Sequence, residues 1–419
     1  MSKIYKTILK NGIKVLTEEM PDSESCTVGI WVNAGSRNET KAVSGISHFI
    51  EHMLFKGTEK RTALDISKEI ESVGGVLNAF TGREYTCFYA KVLNRDIACA
   101  VNLLSDIFIN SKFDTTELNK EKMVVLQEIK LVEDTPDDLI HDIFAERFWK
   151  GHPLGWPVLG STETVKSFSR ADVLDYYRRH YLRTDGVFVT VAGGVRHLKV
   201  LNLLKRQLGS MEALSAEEVF TPPVQHAGAR LVKKELEQAH LCIGVAVPKQ
   251  AHKDRFKVYM LNTILGSGMS SRLFQEIREK RALAYSVYSY LNLCKDAGSL
   301  IVYAGTSSES FSAAVRLILK EFAKLKKGVS SEEVANARSQ LKGSMLLGLE
   351  TSDSRMSKLA RDEIYFGRVV PVKEIVSGID GVTAKGIKDL ACAIFSPKGV
   401  TLTAIGAVKS KDLPKGLHE

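Results

Sequence analysis

The chain has 419 residues, 44% hydrophobic and 26% charged, a globular composition that argues against a disordered or fibrous protein and leaves room for two or three domains. Lys and Arg number 58 against 49 Asp and Glu, but the excess of +9 is uneven: residues 1–227 carry 28 basic and 30 acidic groups, residues 228–419 carry 30 and 19. No dense basic run with interleaved aromatics points to nucleic acid, and no segment approaches the ~20 apolar residues of a membrane span.

In chain order, MSKIYKTILKNGIKVL runs straight into strand-like alternation without the apolar core of a signal peptide. With six cysteines scattered outside any CxxC pair, this fits a soluble cytoplasmic protein. Strands are expected over 3–20 and 25–33, helices over 44–56 and 62–73, and a strand pair over 75–82 and 85–92. Long helical patterns follow over 96–110, 114–150 and 170–182, and a strand over 186–192 closes the half. Bunched strands and runs of helices predict an α+β fold, a mainly antiparallel sheet with helices packed on one face.

The same series recurs. CTVGIWV (26–32) is answered by HLCIGVAV (240–247), with Gly29 and Gly244 215 positions apart. ACAVNLLSDIF (98–108) matches SAAVRLILKEF (312–322), TELNKEKMVVLQEIK (116–130) matches EEVANARSQLKGSML (332–346), and VTVAGGV (189–195) matches LTAIGAV (402–408). Four matches in one order and at nearly one offset predict two homologous halves, 1–208 and 228–419, and the fold expected of them encloses a cavity between the two. The polar stretch 209–227, with Pro222 and Pro223, reads as the linker.

The first helix contains SGISHFIEHMLFKGTEKR (44–61). His48 and His52 at i and i+4 project from one helix face and can grip one ion, and Glu51 can reach a water on that ion. HxxEH is the inverted form of the HExxH zinc motif. A tetrahedral catalytic zinc needs a third protein ligand and one open position. The helical stretch 114–135 offers Glu121 and Glu128 on one face, but spacing alone does not choose Glu128 over Glu117 or Glu133.

HFIEHMLFKGTEKR, then GGVLNAFTGREYTCFY (74–89), then an E-x6-E pair resemble the pitrilysin-type zinc metallopeptidases, closest to bacterial relatives of the mitochondrial processing peptidase β subunit. The likeness runs on through HPLGWPVLGSTETV (152–165), RRHYLRTDGVFVTVAGGV (178–195) and GMSSRLFQEIREKRALAYSVYS (268–289). The resemblance implies one Zn2+ per chain held by His48, His52 and Glu128, Glu51 as general base, and Glu121 supporting the site. It implies that the edge stretch Asn78, Ala79 and Phe80 receives an extended peptide by strand addition, and that Arg278 and Tyr285 reach the same substrate. The long glycine-rich loop of the mitochondrial α subunit is missing; GSGMSSR (266–272) stands in its place.

The second half contains no HxxEH, and Glu121 and Glu128 align with Ala337 and Ser344, so it cannot build the same metal site. The expected function is therefore a zinc endopeptidase acting on peptides or unfolded, presequence-like segments, self-sufficient as a homodimer by resemblance. The alternative is a non-catalytic structural or partner subunit on the same fold. Such subunits typically lose the histidines or the base, and this chain keeps all four positions. An acidic run, Glu133 to Glu146, follows the Glu128 helix and reads first as a solvated face, second as an attractant for basic peptides.

Overall fold

The computed structural model describes residues 3–215 and 220–414; residues 1–2, 415–419 and 216–219, the last inside the expected linker 209–227, lie outside that description. The first half supplies β1 (Lys3–Ile8), β2 (Lys14–Glu19), β3 (Ser25–Val32), α1 (Ile46–Leu54), α2 (Ala63–Ser72), β4 (Val76–Thr81), β5 (Thr86–Leu93) and α3 (Ile97–Asn110). It continues with α4 (Thr115–Asp134), α5 (Pro136–Phe148), α6 (Thr162–Ser167), α7 (Arg170–His180), β6 (Val187–Gly193) and α8 (His197–Leu208). The helical pattern expected over 114–150 is two helices. Pro136 has no N–H to continue α4 and occupies the first turn of α5, where none is needed. Helix α8 was not among the expected elements, although its buried Val200, Leu201, Leu204 and Leu208 follow a helical spacing.

The second half supplies β7 (Gly228–Lys233), β8 (Ala239–Ala246), α9 (Arg255–Gly266), β9 (Ala284–Leu293), β10 (Gly298–Thr306), α10 (Phe311–Lys327) and α11 (Ser331–Gly348). Then come α12 (Ser352–Phe366), α13 (Val372–Asp380), α14 (Ala384–Ile394) and β11 (Thr401–Gly406).

The chain divides into two compact units, and these are not continuous halves. One comprises Met1–Leu131, Trp156–Phe220 and Gly348–Val369; the other comprises Val132–Gly155, Thr221–Leu347 and Val370–Glu419. The first unit is built on a six-stranded sheet in the order β1-β2-β6-β3-β5-β4, antiparallel except for β2 with β6. One face carries the large core, in which Val28, Ile30 and Val189 meet Phe49 and Met53 of α1 and Leu104 and Phe108 of α3. The other face is not bare: Leu16, Trp31 and Phe188 are covered by Met356, Leu359 and Ala360 of α12.

The second unit repeats the plan on a five-stranded sheet, β7-β11-β8-β10-β9, antiparallel except for β7 with β11. Its main core packs α9, α10 and α14 on one face, and α5 closes the other through Ile140, Phe144 and Phe148 against Cys242, Ile301 and Ile405. Among the described residues, each sheet thus has several helices on one face and one helix on the opposite face, and that single helix comes from the other half of the sequence. The repeated glycines explain the seating. A Cβ on Gly29 would lie 2.7 Å from Met356 Sδ, and one on Gly244 would lie 2.6 Å from Phe144 Cζ. Each glycine clears the ground on which a helix lies close to the sheet.

Candidate metal centre

Helix α1 buries Ile46, Phe49, Ile50 and Met53 in the core. That registers the opposite stripe, His48, Glu51 and His52, toward partly open space. The two imidazole rings are 4.6 Å apart between centroids, with Nε2 facing Nε2 at 3.2 Å. Glu128 of α4 brings Oε2 to 3.7 Å from His48 Nε2 and 3.6 Å from His52 Nε2. Among the described residues these three form the one group of histidine, cysteine and carboxylate ligands close enough to hold a metal ion.

The donor set fits zinc. A tetrahedral ion ~2.0–2.1 Å from nitrogen and oxygen ligands holds them about 3.3 Å from one another, close to the spacing found here. His52 Nδ1 is 2.8 Å from Glu121 Oε1, so a proton on Nδ1 leaves the Nε2 lone pair aimed at that of His48. Burial pushes His48 down to about 3, which keeps its ring neutral. Two imidazole nitrogens facing each other at 3.2 Å beside a carboxylate form a donor set that a cation can bridge. Glu121 is nearly fully buried and also meets Lys56 Nζ at 2.8 Å. Burial opposes its charge, but the bonds from His52 and Lys56 prevail and hold the carboxyl below its ordinary range. For His52 burial likewise opposes charge, and Glu121, Glu128 and Glu51 outweigh it.

Glu51 stands between the histidines in sequence without joining the ligand cluster. Its Oε2 accepts from Thr81 Oγ1 at 2.5 Å, and burial pushes its carboxyl above the usual range. Thr81 ends β4, which pairs with β5 and with no other strand among the described residues, so its second edge is open. Along β4 the side chains alternate: Leu77 and Ala79 pack on the core side. Asn78 is exposed, and Phe80 stands edge-on to Trp31 at 5.7 Å on the opposite face. Asn78 Oδ1 accepts from the Ala79 N–H at 2.8 Å.

Arg278 and Tyr285 come together in the second unit. The Arg278 guanidinium lies 4.6 Å from the Tyr285 ring and 4.7 Å from the Phe274 ring, beside a cavity of about 410 Å³ that Met269 and Tyr288 also line. Tyr285 is 80% exposed, so its hydroxyl is available to a ligand. In the acidic run, Glu146 pairs with Arg230 at 2.5 Å, and the run from Glu133 onward belongs to the second unit, not to the unit holding Glu128. Two residues of the centre were not singled out by sequence reasoning, Thr81 and Lys56. The alternation of 77, 79 and 81 was the available signal for the first.

Residues 14–162 match the family described as Insulinase (Peptidase family M16), and residues 167–341 match the Peptidase M16 inactive domain. The chain belongs to peptidase family M16. It is 40% identical over 394 residues to the uncharacterized zinc protease YmxG of Bacillus subtilis, spanning 94% of this chain and 96% of that protein. It is 37% identical over 426 residues to the uncharacterized zinc protease SCO5738 of Streptomyces coelicolor, spanning 99% and 92%. In fold it is similar to a Helicobacter pylori protease, with a TM-score of 0.90 at 23% identity covering 97% of this chain and 100% of that one. A chain of complex III2 from Candida albicans has the same fold, with a TM-score of 0.86 at 22% identity covering 97% and 96%. The family match supports a zinc metallopeptidase whose second half is of the inactive type. No helix among the described residues is long and apolar enough to cross a membrane.

Proposed function

We propose that this M16 chain is a zinc endopeptidase that cuts extended peptide segments, with His48, His52 and Glu128 as the metal ligands. The observation that carries the reading is the convergence of two imidazole nitrogens and one carboxylate beside a second, non-ligand carboxylate, Glu51. Bound there, zinc supplies a Lewis acid for the scissile carbonyl and lowers the pKa of water toward neutrality.

Glu51 takes a proton from the attacking water and returns it to the leaving amine. Its raised carboxyl suits both halves of that exchange, and the Thr81 hydroxyl fixes one oxygen so that the other is free for the proton. Glu121 holds the proton of His52 on Nδ1 and so keeps Nε2 available. The open edge of β4 offers main-chain groups to an extended peptide, a sequence-tolerant mode of capture. On this reading, a peptide pairing there displaces Asn78 from the Ala79 N–H. Arg278 and Tyr285, side by side in the second unit, are the further donors in this proposal, the arginine held between two aromatic rings.

His52→Ala tests the ligand assignment. Metal analysis is expected to show near-complete loss of zinc, and full retention would overturn it. Cleavage of an unstructured peptide library by the zinc-loaded chain, abolished by chelator and restored by zinc, tests the activity.

A further inference from the structure

The five residues Gly35–Glu39, between β3 and α1, are fastened at two ends. At one end, Glu39 is 4% exposed and receives the first turn of α1: Oε2 accepts from Gly45 N–H at 2.8 Å and Oε1 from Ser47 N–H at 2.9 Å. Helix α1 has no side chain of its own for this task, because its N-cap is Gly45 at φ +92°. A Cβ there would meet Leu159 O at 2.5 Å, so no capping residue fits.

At the other end, the loop holds the turn between β4 and β5. Ser36 and Arg37 donate their N–H groups to Gly82 O at 3.3 Å and Arg83 O at 2.8 Å. Arg37 Nη1 donates to Glu84 Oε1 at 2.6 Å, with both side chains almost fully buried. The backbones touch: a Cβ on Gly35 would lie 2.3 Å from Gly82 O. Gly82 follows Thr81, whose hydroxyl sits on Glu51.

One short loop therefore grips the helix that carries His48, Glu51 and His52 and also the strand that ends beside Glu51. Burying three ionisable side chains here is a poor source of stability, since desolvation opposes the charged form of each. Well-packed apolar groups would hold a loop as firmly. What a buried charge supplies is a single geometry. Burial pushes Glu39 up to about 7, and the two N–H groups of α1 act against that rise. We infer that Glu39 and the Arg37–Glu84 pair are positioning residues, a bracket that sets the distance between the Glu51 carboxylate and the edge strand β4. The inference rests on the reading of Glu51 as base and β4 as peptide edge.

The test uses the full chain with Glu39→Gln, Glu84→Gln and the double variant. Hydrogen exchange of the metal-free proteins reads the bracket without activity. Glu84→Gln is expected to speed exchange about threefold or more at 82–86 and also at 45–50, and Glu39→Gln to do the same in reverse. Exchange that rises only at the substituted end overturns the bracket. On the zinc-loaded proteins, Glu39→Gln is expected to lower kcat about tenfold with zinc content kept, and Glu84→Gln to act mainly on KM. The double variant is expected to fall short of the product of the two, as coupled sites do. Strict additivity, or equal changes of kcat and KM in both variants, overturns it as well. If Glu39→Gln does not fold, Glu84→Gln and Arg37→Lys carry the exchange test. A zinc-loaded parent without peptidase activity would refute the proposed function, while the exchange result would still decide the bracket.

Discussion

The two sheets follow one strand plan, β2-β6-β3-β5-β4 in the first unit and β7-β11-β8-β10-β9 in the second, each ending in an open edge strand. Beside β4 runs α1 with its two histidines and Glu51; beside β9 runs α9, whose Val258, Leu261, Ile264 and Leu265 are buried. Helix α4 presents Glu121 and Glu128, while at the repeat positions α11 has Ala337, buried, and Ser344, exposed. The fold therefore stands without a His-His-Glu cluster. In the first unit ionisable groups interrupt a helix-to-sheet seam that in the second holds apolar side chains and a neutral hydrogen bond from Ser289 to Asn262, and such groups are costly to bury and useful for catalysis.

The comparison breaks most sharply at Glu51. Glu51→Gln is expected to keep zinc and lower kcat by roughly 10²–10⁴, the span of general-base catalysis, in a chelator-controlled peptide assay. A loss confined to a few-fold would leave the first unit without a distinct catalytic residue. Next is Tyr285 of the second unit. Tyr285→Phe is expected to lower kcat about 10–10²-fold at unchanged zinc content, less than a lone oxyanion donor because the metal shares the charge. An unchanged kcat would reduce the second unit to a scaffold.

The glycine pair sharpens the comparison on stability. Gly29→Val and Gly244→Val are each expected to cost ~1–3 kcal/mol through overpacking, read as a fall in Tm. Gly244→Val should cost more: its new Cβ meets the Phe144 ring and the backbone Leu300 O at 2.9 Å, whereas at Gly29 the obstacles are side chains, the flexible Met356 thioether and Trp31 Nε1 at 2.9 Å.

The smallest effect concerns pH, because two terms oppose each other in the metal-free chain. The folded pKa of His48 is depressed to about 3 by burial, so its contribution is present above the ordinary value of 6.5 and is lost as pH falls below it. The folded pKa of His52 is raised by its carboxylates despite burial, so its contribution is present below 6.5 and is lost as pH rises through the raised value. Urea unfolding in chelator should thus show a stability maximum near pH 6.5 in the parent, falling on the acid side through His48 and above 6.5 through His52. His52→Asn should keep the acid-side fall and lose the fall above pH 6.5. A parent whose stability above pH 6.5 follows that of His52→Asn would remove His52 from the balance.

The repeated fold and the helix that carries His48, Glu51 and His52 were legible in the sequence, since repeats and an i, i+4 pair are local patterns. The partner of Glu51 was not legible, because Thr81 meets it only through the docking of a strand on a helix 30 residues away. Nor was the loop Gly35–Glu39: Glu39 looks like any surface acid until the left-handed Gly45 leaves α1 without a cap. The single helices on the outer faces were hidden for a different reason. An amphipathic pattern states that α5 and α12 have an apolar stripe, not which sheet receives it.

Those exchanged helices bear on how the chain comes to be folded. The first sheet is finished only by α12, through contacts such as Thr27 with Ser352 and Glu18 with Arg355, 325 and 337 residues apart. A ribosome that has released residues 1–208 has made every strand of that sheet but not its cover, so Trp31 and Phe188 stay exposed until residue 366 emerges. Long-range closure of this kind is slow and leaves a sticky intermediate. A gene cut between the repeats would then yield two aggregation-prone products rather than two domains, and a nascent chain would need shielding by a holdase until nearly nine-tenths of its length is made.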